Sequence, residues 1–240
     1  MAETSAAVDL SSDHYLALKP TDVFNQERWL SQVTVMAENP DNINIEVFCY
    51  FFIEICNLFK IMSTAMHLAF WDVSTKAQTI LKNKEFHTNQ GKIDAGRSLQ
   101  AFVLMEITEG IHTLNGKTNS NTIVDNKSWQ YTYASTARTA LRDMWLLDYL
   151  SILFGDLIRF PDTPMKEISK KAYDEAFGER HPWLIRKTAS IAVSAVPSKE
   201  EFIQKTGVDV NKLEEASTKV DIVKEALWRF YTQNGIDKLD

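Results

Sequence analysis

Cysteine, proline and glycine are scarce in this 240-residue chain, which has two, six and eight of them. Cys49 and Cys56 stand seven apart in one helical run, and two turns of continuous helix hold their thiols too far apart for a disulfide. They read as reduced core residues, and no other Cys or His spacing resembles a zinc site. Positive charge is also in short supply, with 26 basic against 32 acidic residues and a formal charge of −6. That balance argues against a general nucleic-acid binder, which needs a broad basic surface. Any anion site must be local.

No uninterrupted apolar run reaches membrane-spanning length, and the N-terminus carries acids where a secretion signal has a basic start and an apolar stretch. A cytosolic protein is expected. The motifs of common catalysts are missing too: there is no nucleophile elbow, phosphate loop, dinucleotide loop or HExxH. The expectation is a protein that is not an enzyme and uses neither cofactor nor metal.

What the chain does have is helical periodicity. Residues 1–20 read as a flexible arm and residues 21–240 as a single all-α domain of about eight helices. The segment TDVFNQERWLSQVTVMAE reads as a helix with Phe24, Trp29, Leu30 and Val33 on its inner side. From Ile45 to Lys82 an apolar-periodic stretch without glycine or proline predicts one helix of about 55 Å. Further helices are predicted over SLQAFVLMEITEGIHTL, from Trp129 to Phe160, over MKEISKKAYDEAF, from His181 to Pro197, over SKEEFIQKT and from Val210 to Gly235. Ser198 and Glu201 have capping-box spacing, and Pro182 suits a first helical position. The polar stretch 115–128 reads as a surface loop. Six Trp and thirteen Phe are generous for such a domain, and some suit the lining of a ligand cavity.

Against this apolar background a few charges stand out. Asp72 and Lys76 are four apart and therefore share a helix face, as do Arg138 and Arg142. The first pair is equally an ordinary salt bridge, and the second an ordinary surface network with Asp143 and Asp148. Two arginine forks one turn apart nevertheless suit a tetrahedral anion. His181 opens HPWLIRK at an interhelix junction, where it either braces the turn or donates to a ligand carbonyl. Trp183, two positions on, suits a membrane interface.

The stretches FWDVSTK, RTALRDMWLLDYLSILF and AYDEAFGERHPWLIRKTASIAVSAVPSKEEF resemble the glycolipid transfer protein superfamily, and within it the ceramide-1-phosphate-binding branch. The similarity in helix order extends over residues 22–235. It implies a two-layer helical sandwich enclosing a hydrophobic pocket for one sphingolipid. It also implies that Asp72 holds the ceramide amide nitrogen and sphingoid hydroxyl, that His181 donates to the amide carbonyl, and that Lys76, Arg138 and Arg142 hold a phosphate. Glycolipid-binding members resemble an asparagine at the Lys76 position and have a sugar-stacking tryptophan at the Arg142 position. Phosphate brings a charge that an indole cannot offset and an arginine can. The preferred ligand implied is therefore ceramide-1-phosphate, with neutral glycosphingolipid transfer as the alternative. Transient contact with a cytosolic membrane surface is expected through Trp183 and Trp71. A lipid-occupancy sensor acting on a protein partner needs the same pocket and is the second alternative.

Overall fold

The computed structural model describes residues 17–93, 98–117, 130 and 132–239. Most of the expected N-terminal arm and of the loop 115–128 lies outside these residues, as does Trp129. Among the described residues there are nine helices: α1 (Gln26–Glu38), α2 (Ile45–Met62), α3 (Thr64–Asn89), α4 (Leu99–Thr108), α5 (Thr136–Arg159), α6 (Met165–Phe177), α7 (Trp183–Ser194), α8 (Lys199–Thr206) and α9 (Val210–Gln233). None is long and apolar enough to cross a membrane.

The expected single helix over 45–82 is two helices. Ser63 breaks it: its backbone is extended, at φ −168° and ψ 158°, and its hydroxyl accepts from the Met66 amide at the start of α3. A serine side chain offers the backbone a partner outside the helical ladder, so it ends one helix and caps the next. Similar caps begin other helices. Asn44 accepts from the Glu46 and Val47 amides before α2, Ser98 from Ala101 before α4, and Ser135 from Arg138 before α5. Ser198 accepts from the Glu201 amide, as its spacing predicted. Helix α4 ends at Thr108, short of the expected Leu114, and Pro182 immediately precedes the first residue of α7.

The expected sandwich follows from the packing. α2 lies along α3, and α5 packs against α6 and α9. The two groups meet where α3 rests on α5, while α1 bridges α2 and α9. The core between them is aromatic. Trp29, Phe48, Phe51, Phe52, Phe59, Phe102, Tyr149, Phe154 and Tyr231 are all fully or almost fully buried. Both cysteines are buried and free.

One buried carboxylate anchors the start of α5. Glu106 on α4 accepts from the Thr136 and Ala137 amides at 2.7 and 2.8 Å, the first two residues of α5, and from the Tyr133 hydroxyl at 2.6 Å. An anion at a helix N-terminus satisfies donors that no turn of helix precedes. It thereby sets the position of the helix that carries Arg138 and Arg142.

Candidate headgroup site

Lys76 is the centre of the polar cluster. Its ammonium forms an ion pair with Asp72 one turn earlier on α3. The Asp72 side chain is 70% exposed while that of Lys76 is 22% exposed, so the pair runs from the surface inward. Burial lowers the Lys76 pKa, the Asp143 carboxylate opposes that shift, and Arg142 reinforces it. Lys76 in turn lowers the His181 pKa, second to burial. Asp72, Lys76, Arg142 and His181 are therefore brought within electrostatic reach of each other from α3, α5 and the turn before α7.

The arginines hold one another in register. Arg142 Nη1 donates to the Arg138 carbonyl at 2.8 Å, and Arg138 Nη1 to the Thr113 carbonyl at 3.4 Å. Arg142 also lies over the Trp145 ring, 5.4 Å from its centroid. Three residues on a helix put that indole beside the guanidinium. Arg180 also lies over the Trp145 ring, 5.5 Å from its centroid, and it covers Trp228 at 5.1 Å and pairs with Asp148 at 2.7 Å. Among the described residues Asp143 and Asp148 do not share one surface network with the two arginines. Asp148 faces Arg180 and accepts from the Trp228 indole at 2.7 Å, and Asp143 is completely buried.

His181 is braced on three sides. Its Nδ1 is 2.9 Å from the Tyr173 hydroxyl, its ring stacks on Phe177 at 4.8 Å, and Trp145 meets it edge-on at 6.3 Å. With Nδ1 engaged, Nε2 is the nitrogen available to a ligand. The brace and ligand readings of this histidine are thus compatible.

Beneath the cluster an aromatic line fills the interior. Phe59 stacks on Phe70 at 4.2 Å, Phe70 meets Tyr149 at 5.6 Å, and Tyr149 meets Phe177 at 6.1 Å. Two surface hollows of about 520 and 400 Å³ lie elsewhere, one around Pro161, Pro164 and Lys199 and the other around Lys19, Glu46 and Lys84.

The helix that follows His181 leaves its apolar side uncovered. Trp183, Leu184 and Ile191 are 66, 64 and 66% exposed, Ile185 nearly half exposed, and Trp71 on the adjoining α3 is 59% exposed. Lys187 lies over the Trp183 ring at 5.6 Å. Sequence periodicity places Leu184, Ile185 and Ile191 on a helix without a burial assignment, because it cannot tell an apolar face that is covered from one that is not. Trp145 and Arg180 were also missed, although the i,i+3 spacing of Arg142 and Trp145 was visible in RTALRDMW.

The fold defines a class, that of helical proteins sharing the architecture of known lipid transfer proteins. It covers 90% of this chain and 100% of human ceramide-1-phosphate transfer protein solved with 12:0 ceramide-1-phosphate, at 19% identity and a TM-score of 0.71. The fungal glycolipid transfer protein HET-C2 matches over 81% of this chain and 88% of its own, at 16% identity and a TM-score of 0.61. A family profile described as Glycolipid transfer protein matches residues 43–208, and the chain belongs to that family. Among relatives, ceramide-1-phosphate transfer protein of Xenopus tropicalis is 27% identical over 175 residues, covering 70% of this chain and 74% of its own length. Accelerated cell death 11 of Arabidopsis thaliana is 30% identical over 87 residues, covering 36% and 40%.

Proposed function

We propose that this protein carries one phosphate-headed sphingolipid, with ceramide-1-phosphate the preferred cargo, between membranes facing the cytosol. The observation that carries the reading is the convergence of Lys76, Arg142 and His181, from three separate elements, beside the exposed Asp72 carboxylate. Lys76, Arg142 and Arg138 are assigned to the phosphate oxygens, a tetrahedral set that planar guanidinium forks and an ammonium can grip from several sides. Asp72 is assigned to the amide N–H and sphingoid hydroxyl, both donors, and His181 Nε2 to the amide carbonyl. The similarity to two relatives named for ceramide-1-phosphate transfer supports the choice of phosphate over sugar.

Nothing in this cycle makes or breaks a covalent bond, and no cofactor enters it. The lipid chains are taken up among the apolar and aromatic side chains of the interior, where their apolar surface is covered from water. Each methylene so enclosed saves about 0.8 kcal/mol of exposure to water. Trp183, Leu184 and Ile191, with Trp71 on the adjoining helix, form the membrane-facing rim, where an amphipathic helix lies at the headgroup boundary. A lipid without an anion makes no charge-assisted contact with Lys76, Arg138 or Arg142 and is disfavoured on that account.

Competitive transfer between vesicles tests the assignment, using ceramide-1-phosphate, a neutral glycosphingolipid and phosphatidic acid in one donor membrane. Ceramide-1-phosphate is expected to move fastest. Equal transfer of phosphatidic acid would remove the amide contacts of Asp72 and His181, and faster transfer of the glycosphingolipid would remove the phosphate clamp.

A further inference from the structure

Asp143 is a buried charged residue beside the headgroup cluster that the proposed cycle leaves without a role. It follows Arg142 directly, and one residue on a helix is a turn of about 100°. Arg142 is partly exposed, whereas Asp143 points inward and is 0% exposed. Neither of its carboxyl oxygens has a hydrogen-bond partner among the described residues. The groups that face it are Cys49 and Cys56 from α2, Lys76 from α3 and Tyr231 from α9. The thiols and the phenol are buried and hold their protons, and the Tyr231 hydroxyl is already committed to the Ala137 carbonyl at 2.9 Å. Lys76 alone brings Asp143 a positive charge. That ammonium therefore lies between two acids, Asp72 outside and Asp143 within.

We propose that Asp143 is a positioning residue that links headgroup binding to a proton: as a carboxylic acid it leaves Lys76 to the lipid phosphate, and as a carboxylate it competes with that phosphate for the same ammonium. The inference rests on the phosphate reading above. An ionised carboxylate with no donor in an apolar interior is disfavoured, so the acid form is retained until the solution becomes alkaline enough to remove its proton. Burial accordingly raises the Asp143 pKa well above the carboxylate range, with Lys76 pulling the other way. A phosphate arriving at Lys76 adds negative charge beside Asp143 and strengthens its hold on the proton further. Binding then takes up one proton. By linkage, affinity is flat below the pKa of the lipid-free protein and falls as pH rises above it, by at most about tenfold per unit for one linked proton.

The test is ceramide-1-phosphate transfer by the full chain between neutral phosphatidylcholine vesicles, from about pH 5 to pH 9, for wild type and Asp143→Asn. The variant keeps the shape and removes the titration. The phosphate's own ionisation acts equally on both proteins and cancels in the ratio of their rates. Wild type is expected to match Asp143→Asn at the acid end and to lose ground against it as pH rises. A constant ratio across the range overturns the proposal while leaving the phosphate reading in place. No transfer of ceramide-1-phosphate by either folded protein overturns that reading itself. Should the variant fail to fold, carbon-13 labelling of aspartate reads the wild-type carboxyl directly. Its titration is expected well above the other aspartates and to move higher on adding ceramide-1-phosphate, and an ordinary titration near pH 4 overturns the proposal.

Discussion

Glu106→Ala is the substitution with the largest expected consequence for a residue that touches no ligand. The carboxylate is 0% exposed and accepts three hydrogen bonds of 2.6, 2.7 and 2.8 Å, two from the opening amides of α5 and one from Tyr133. The Tyr133 hydroxyl is also 3.0 Å from His87 Nε2. Burial pushes the Glu106 carboxyl up from its ordinary value, and its three donors pull it back down. Hydrogen bonds to a charged group contribute about 1.5–3 kcal/mol each, which summed naively exceeds any single-site effect. Removing the acid also relieves its own desolvation, so the net cost expected is about 3–5 kcal/mol. That is a large part of the roughly 5–15 kcal/mol available to a domain. Urea unfolding followed by tryptophan fluorescence measures it as a lower midpoint. Glu106→Gln keeps one acceptor oxygen but turns an amide N–H toward a donor, and is expected to cost about 2 kcal/mol. Arg138 lies one residue beyond the anchored pair, so ceramide-1-phosphate transfer is expected to weaken even at temperatures where the variant is folded. A loss of stability below about 1 kcal/mol for Glu106→Ala would refute the claim that this carboxylate holds α5 in place.

Arg142→Ala is expected to reduce ceramide-1-phosphate affinity by about ten- to a hundredfold, the equivalent of one charge-assisted contact. In the same vesicle assay Asp72→Val is expected to slow every ceramide-based lipid, and an unchanged rate would remove that residue from the site. Trp183→Ala with Leu184→Ala is expected to weaken binding to phosphatidylcholine vesicles by about tenfold or more, since each side chain contributes about 1.5–3 kcal/mol when buried in lipid. Both are largely exposed, so a drop in melting temperature instead of vesicle affinity would count against a membrane role. Gly178→Ala would drive a β-carbon into the Asp174 carbonyl oxygen at the end of α6. The expected cost is about 1–3 kcal/mol, together with displacement of the turn that carries His181, visible as a shift of its imidazole NMR signals.

Helix content, the Ser198 cap and the shared faces of the charged pairs were legible in the linear chain because each depends on spacing of three or four residues. The Ser198 cap, the Asp72–Lys76 pair and the shared face of Arg138 and Arg142 are local facts of this sort. Ser63 was not legible, since a serine inside an apolar period is compatible with a continuous helix until its backbone is seen to extend. The resemblance to a family supplied the ligand-clamp assignment proposed above, where spacing alone left salt bridge and clamp open.

Other features arise only when helices meet. Asp143 and Asp148 are five apart on one helix and equally acidic, yet the first turns into the core with no hydrogen bond and the second reaches Arg180. No property of either residue predicts that difference, because it is set by which neighbouring helix covers each face. Leu184 and Ile191 sit in helical apolar sequence as Leu146 and Leu150 do, yet the fold buries the latter pair and leaves the former in the open. Local sequence sets which residues share a helix face. Whether that face meets water, lipid, a cation or another helix is a property of the packed molecule, since burial and electrostatic pairing depend on distances between segments far apart along the chain.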